Sequence, residues 1–330
     1  MILAGDIGAT HARLAAFDAG ASRLAPVVEK VYESGKHSNL REIISSFITS
    51  EGVPIHSACI GAAGPVRNGQ CKVSNLPWTI DVRELAAQLR LRNAGLINDL
   101  EALAYGIDVL ESSDFVTLRE GSASDGNACV VSAGSGLGEA GLYWDGHRHH
   151  PFACEGGHSE FAPKNDVEIE LLRYLMAKYQ DRHVSYERVL SGPGLKNVYD
   201  FLRDAANEQE PEWLREQLAA HDDPPALISQ LGLEGKVPIC ERALSIFVSV
   251  FGSEAGNCAL KFMATGGVYI AGIPAKTLPA FQEGAFLHAF QDKGRMRGLL
   301  EEMPVRVILN DDAGLLGAAR FTLIQKAFRS

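Results

Sequence analysis

Ile2-Leu3-Ala4-Gly5-Asp6-Ile7-Gly8-Ala9-Thr10-His11-Ala12-Arg13-Leu14-Ala15-Ala16-Phe17 is an apolar run, a short polar turn and a second apolar run that resumes at Leu14. The pattern predicts a β-hairpin whose turn carries function. Gly5 and Gly8 permit backbone conformations closed to other residues, and they let a ligand lie against the main chain, where successive N–H groups can face a phosphate. Asp6 then stands where a hydrated cation bridging two phosphates would be. An ordinary glycine turn between edge strands fits this stretch equally well.

A second stretch decides between these readings. Val130-Val131-Ser132-Ala133-Gly134-Ser135-Gly136-Leu137-Gly138-Glu139-Ala140-Gly141-Leu142 repeats the plan of apolar run, Gly/Ser turn and apolar run. Two such hairpins in one chain are what a duplicated fold displays when each half supplies one clamp to the same polyphosphate.

The 330 residues exceed the size at which one hydrophobic core keeps growing, so two domains with a cleft between them are expected. A net charge of -10 argues against nucleic acid or an anionic membrane surface as partner, because both require clustered Lys and Arg. The six cysteines are scattered without a Cys-x-x-Cys pair, which indicates reduced thiols and neither a zinc site nor a disulfide framework. The first residues lack the basic and apolar regions of a signal peptide, and no apolar run approaches a membrane span, so a cytosolic protein is expected.

Along the first half, the spacing predicts strands at 24–32 and 57–61, helices at 40–49 and 81–91, and a short strand at 96–97 ending in Asn98-Asp99. A helix follows from Leu100. This order suggests an α/β fold, a mixed sheet with helices on its faces. From about Gly121 the second half carries expected helices at 166–179, 186–191, 194–206, 239–259 and 280–290, with strands at 268–271 and 305–309. The tail 314–328 has helical spacing, and the polar stretch 207–225 reads as a surface excursion.

Four places are candidates for chemistry. Asn98 and Asp99 end a strand, where open α/β sheets present ligands, and a carboxylate there can accept a proton from an attacking hydroxyl. Capping of the following helix is the competing role. Cys154-Glu155-Gly156-Gly157-His158 sets a carboxylate and an imidazole on either side of two glycines, which suits recognition of hydroxyls. It lacks the spacing of a metal site. Glu187 follows Ser185 and on spacing alone is a first-turn helix acid. Gly266-Gly267-Val268-Tyr269-Ile270-Ala271-Gly272 frames a strand with glycines, which either admit a flat ring or allow close packing.

Taken together, Gly5–Leu14, Ala63–Trp78, Ile97–Leu100, Ala133–Gly138, Glu155–Pro163, Glu187–Leu195, Gly266–Gly272 and Asp312–Gly317 resemble the bacterial glucokinases of the hexokinase/actin-like ATPase superfamily, in family order. The resemblance implies a two-domain actin-like ATPase (hexokinase) fold with a duplicated core and an interdomain cleft. It implies a small domain of 1–109 plus 312–330 and a large domain of 110–311. Asn98, Asp99, Glu155, His158 and Glu187 would hold the sugar hydroxyls, with Asp99 as base on the 6-hydroxyl, which overturns the purely structural reading of Glu187. Asp6, Gly8 and Thr10 would form one phosphate clamp and Gly134, Ser135 and Gly136 the other, with Gly266 and Gly267 beside the adenosine.

The implied activity is ATP-dependent phosphorylation of glucose to glucose 6-phosphate. Magnesium would arrive with ATP, held by phosphate oxygens and water with one contact from Asp6. No metal site built from protein ligands is expected, and a homodimer is. The family pattern has Gly-Gly-Thr-Asn where this chain has Gly8-Ala9-Thr10-His11, and Ala-Gly-Gly-Ile where it has Ala271-Gly272-Ile273. Both departures fall on the nucleotide side. The rival readings are a kinase for another hexose and a sugar-binding sensor without turnover.

Overall fold

The computed structural model describes residues 1–91, 94–122, 124–180 and 182–327. The chain forms two compact units, one of Met1–Asp114, His150–Ala153 and Asn310–Ser330, the other of Phe115–His149 and Cys154–Leu309. The breaks fall at Asp114/Phe115 and Leu309/Asn310, against the expected 109/110 and 311/312.

The first unit runs β1 (Ile2–Ile7), β2 (His11–Phe17), β3 (Pro26–Glu33), α1 (Leu40–Glu51), β4 (Ser57–Ala62), β5 (Val66–Arg67), β6 (Gln70–Lys72), β7 (Thr79–Asp81), α2 (Val82–Leu89), β8 (Ala94–Asn98) and α3 (Asp99–Ile107). Its main sheet has the order β3-β2-β1-β4-β8, and β5-β6-β7 form a small separate sheet. The strand β1 pairs antiparallel with β2 and parallel with β4, so it is central and buried except at Asp6, in keeping with its largely apolar sequence. Leu40, Ile43, Ile44 and Phe47 lie on one buried face of α1 at helical spacing, Asn39 caps its start, and Gly52 ends it with φ 62°.

The second unit contains β9 (Phe115–Arg119), β10 (Ala128–Ala133), β11 (Leu137–Trp144), β12 (His149–Cys154), α4 (Asp166–Lys178), α5 (Gly192–Asp204), α6 (Glu212–Ala220), α7 (Pro224–Glu234), α8 (Pro238–Phe262) and β13 (Gly267–Gly272). The short helices α9 (Ile273–Lys276), α10 (Leu278–Gln282), α11 (Ala285–Gln291) and α12 (Arg297–Glu302) precede β14 (Val305–Ile308). The sheet order is β12-β11-β10-β13-β14-β9. Its plan repeats that of the first unit: β10 is antiparallel to β11 and parallel to β13, as β1 is to β2 and β4. The helix α8 is long and apolar enough to cross a membrane, but 72% of its most apolar window is buried inside the unit, where it forms the core.

The final helix α13 (Ala313–Ala327) belongs to the first unit. It lies so close to α3 that a Cβ on Gly317 would stand 1.7 Å from the Ala102 carbonyl oxygen, and one on Gly106 2.1 Å from that of Ala313. Leu315, Leu316, Ala318 and Ala319 close a core with Ile2, Ala4, Phe17 and Ile97. The last residue of the expected tail helix, 328, lies outside the described residues.

Some expectations change. The stretch 207–225 holds α6 and the start of α7, because Leu214 and Leu218 form a buried i, i+4 pair within a polar sequence. The expected helix 186–191 is a single 3₁₀ turn, Tyr186–Arg188, and Gly284 at φ 96° divides 280–290 into α10 and α11. All six cysteines are free thiols.

Candidate active site

In the first unit, Asn98 and Asp99 end β8 and begin α3. The Asn98 side-chain oxygen accepts from the Leu100 and Glu101 N–H groups at 2.9 and 3.3 Å, and its amide donates to the Gly64 carbonyl at 3.2 Å. The cap is therefore built by Asn98, which keeps one amide proton for a ligand. Asp99 is half-buried, and its Oδ1 accepts from the Leu100 N–H at 3.0 Å. A carboxylate at this strand end is of the residue type that accepts a proton from an attacking hydroxyl.

Asp6 faces Arg13 across the β1–β2 pairing and packs beside Gly314 in the first turn of α13, whose Cβ position lies 3.4 Å from an Asp6 oxygen. Burial raises the Asp6 carboxyl above its ordinary range, against the pull of Arg13. Arg13 is held by Glu29, by Asp312 and by the Asp311 carbonyl at 2.6 Å.

In the second unit three sugar-side candidates meet. The Glu160–Ser185 bridge and the Phe161–Val184 and Tyr186–Ser159 backbone bonds lay the segment after β12 against the segment before α5. His158 then stands between two carboxylates, its Nε2 4.0 Å from Glu155 Oε2 and its Nδ1 4.0 Å from Glu187 Oε1. These separations exceed hydrogen-bond length, so each group retains capacity for hydroxyls placed among them. Glu187 does lie in the first turn after Ser185, as its spacing predicts, but its side chain also reaches another segment. Its Oε2 accepts from the Leu137 N–H at 3.0 Å, just after the second glycine turn.

The two glycines between Glu155 and His158 have a packing reason. A Cβ on Gly157 would stand 2.1 Å from the Leu137 carbonyl oxygen, and one on Gly156 1.8 Å from Glu139 Oε2. Glu139 was not singled out from the sequence. A lone acid in the apolar strand Leu137–Trp144 was the available signal.

The turns correct the glycine argument. Neither Gly5, Gly8, Gly134 nor Gly136 has positive φ. Gly5 is needed because a Cβ would meet Ile60 Cδ1 at 2.5 Å, and Gly136 because one would meet Glu187 Oε2 at 2.6 Å. The Gly8 N–H donates to the His11 carbonyl at 2.9 Å and the Gly134 N–H to the Gly136 carbonyl at 2.8 Å, so both close their own turns. Gly134 has open space where a Cβ would go, and it and Ser135 are exposed, as is Thr10 in the first turn. The Gly192 N–H, at the start of α5, donates to the Gly134 carbonyl at 2.8 Å, which puts the positive end of that helix beside the turn.

Gly266 and Gly267 stand elsewhere. The parallel register pairs Ala128 with Gly267 and Ala133 with Gly272, so these two glycines lie at the opposite end of the sheet from the turn, about 16 Å along β13. Gly266 packs under the 126–127 backbone, where a Cβ would stand 2.4 Å from the Gly126 carbonyl oxygen. The glycine adjoining the turn is Gly272, with φ 80° and a Cβ position 2.0 Å from the Ala133 carbonyl oxygen. Strand direction therefore sets Gly266 and Gly267 apart from the Gly134–Gly136 turn, at the other end of β13.

The family model for glucokinases matches residues 3–325. A glucokinase from Nostoc sp. is 40% identical over 334 residues, covering 97% of this chain and 98% of the relative. A crystal structure of a glucokinase from an Antarctic psychrotroph aligns with TM-score 0.80 and 30% identity over 97% of this chain and 98% of that one. A glucokinase from Balamuthia mandrillaris in complex with glucose aligns with TM-score 0.80 and 23% identity over 97% and 93%, a likeness of fold.

Proposed function

This chain belongs to the glucokinase family, and on that premise we propose that it transfers the γ-phosphoryl group of ATP to the 6-hydroxyl of glucose, giving glucose 6-phosphate and ADP. The family match over nearly the whole chain carries this reading, and the cluster of Glu155, His158 and Glu187 supports its sugar side.

Phosphoryl transfer asks the protein mainly to align the attacking oxygen and to stabilise charge spreading over the phosphate oxygens. In our reading Asp99 accepts the 6-hydroxyl proton as the oxygen bonds to phosphorus and the bond to the leaving ADP breaks. Asn98 donates its remaining amide proton to a sugar oxygen. Glu155 and Glu187 accept from sugar hydroxyls, and His158 orients one between them. The open, exposed turn around Gly134 and Ser135, at the start of α5, suits a phosphate, as does the turn carrying Gly8 and Thr10. Gly272 replaces Gly266 and Gly267 as the glycine on the adenosine side.

Magnesium bound with ATP would neutralise phosphate charge, and Asp6, a hard oxygen donor beside the first turn, fits a water-mediated contact to it. We further propose a cytosolic homodimer. The six free thiols accord with the compartment, and the dimer rests on the family resemblance.

A coupled assay of glucose 6-phosphate formation, with mannose, fructose and N-acetylhexosamines as competitors, tests the activity. Titration of a non-hydrolysable ATP analogue in the presence of glucose tests the nucleotide side. Glucose binding without nucleotide binding at any magnesium concentration would replace the kinase by a sensor, and a higher kcat/KM for another sugar would replace glucose. Light scattering reads the oligomer.

A further inference from the structure

Behind the sugar-side segment lies a buried group that catalysis as described does not use. Glu139 on β11 and Glu254 on α8 are 2% and 0% exposed, and their carboxylate oxygens lie with the Cys258 Sγ within 4.8 Å of one another. Glu139 Oε1 is buried with no hydrogen-bond partner among the described residues. Its other oxygen touches Gly156, between Glu155 and His158. Two ionised carboxylates at this range in a dry interior repel strongly, whereas one shared proton turns the contact into a hydrogen bond and supplies the orphaned oxygen with a partner.

We propose that Glu139 and Glu254 share one proton, and that this pair is the positioning element that holds the Glu155–His158 segment in its sugar-binding geometry through the contact with Gly156. The inference rests on the reading that Glu155 and His158 bind the sugar. Burial and the charge of Glu254 push the Glu139 carboxyl up, to about 7, in keeping with a retained proton. The surrounding charges allow for one negative charge and not two. Lys261 Nζ lies 3.3 Å from Glu254 Oε1, and Lys293 is directed to Ser253 and Asn257. Asn257 donates to Glu254 Oε2 at 2.8 Å and to the Tyr186 hydroxyl at 3.1 Å. Cys129, Cys154, Cys258 and Tyr186 face the pair from β10, β12, α8 and the turn before α5, all raised by burial and therefore neutral.

Loss of the shared proton at alkaline pH would drive the two carboxylates apart and press Glu139 against Gly156. The KM for glucose should rise by up to about tenfold per pH unit above neutrality, with kcat less affected. In Glu139→Gln the amide keeps the hydrogen bond without titrating, so the rise should flatten. The sugar-side groups themselves are common to both proteins, so the comparison isolates the pair.

Infrared spectroscopy of the unliganded protein reads the pair independently of sugar: a protonated carboxyl band should be present near neutral pH and absent from Glu139→Gln. Glu254→Gln removes the same charge from the other side and replaces the first variant should that fail to fold. Superimposable KM profiles for wild type and variant would overturn the positioning role. Absence of the carboxyl band, or a stoichiometric metal ion in the purified protein that the variant loses, would overturn the shared proton. If His158→Ala leaves the KM for glucose unmoved while the band persists, the sugar reading has failed and the pair has not.

Discussion

Gly136→Ala separates the sugar and phosphate roles at the second turn. Gly136 has negative φ, so a methyl group adds no backbone strain. The new Cβ would stand 2.6 Å from Glu187 Oε2 and 3.4 Å from its Cδ, and the carboxylate must retreat by about 0.8 Å to restore ordinary contact. That displacement breaks the 3.0 Å bond from the Leu137 N–H that fixes Glu187. A hydrogen bond to a charged group contributes about 1.5–3 kcal/mol, so a misplaced Glu187 should raise the KM for glucose by about 10- to 150-fold. The melting temperature should also fall by several degrees, because the bond from the Leu137 N–H is lost. Steady-state kinetics with each substrate varied in turn, and calorimetric titration of glucose, measure the effect. A variant that binds glucose as wild type does but has a raised KM for ATP would refute the reasoning, placing Gly136 on the phosphate and leaving Glu187 without a sugar role.

Asp99→Ala should lower kcat by about 10²- to 10⁴-fold with glucose binding largely retained, and an active variant would remove Asp99 as base. Ser135→Ala should cost about 10- to 150-fold in kcat/KM for ATP if its hydroxyl donates to phosphate, and much less if the main-chain amides do the work. Gly317→Ala should destabilise the protein by about 1–3 kcal/mol, seen as a lowered melting temperature, because the helix pair α3 and α13 must separate. The Glu139 carboxyl is raised from 4.5 to about 7 on folding, so the native state binds the extra proton between these values. Stability should therefore fall as pH rises through that window, by roughly 3 kcal/mol at most, and denaturant titrations of Glu139→Gln should show a smaller fall.

The two hairpins were readable because β1 and β10 lead largely apolar runs into short turns, and a duplicated plan announces itself twice. The strand-end position of Asn98 and Asp99 followed from the same logic, although the sequence could not say that Asn98 builds the cap. Glu187 was opaque locally. Its partners Leu137 and His158 come from other segments, and only tertiary structure brings them together. The place of Gly266 and Gly267 was not legible, because a glycine pair beside a strand looks alike at either end, and only the parallel register with β10 reveals which end meets the turn. The helix α6 was hidden because two buried leucines among nine residues give little periodic signal.

The placement of α13 sets an order of assembly during synthesis. The first unit buries Ile2, Ala4 and Phe17 against Leu315, Leu316 and Ala319, so residues that leave the ribosome early wait for others made about 300 residues later. The second unit, whose residues lie between them, emerges entire beforehand and can fold while the N-terminal hairpin is still lacking part of its core. A nascent chain halted before residue 313 should thus carry a protease-resistant middle and a protease-sensitive beginning. Quality control would then sense a break in synthesis ahead of α13 as exposure of β1.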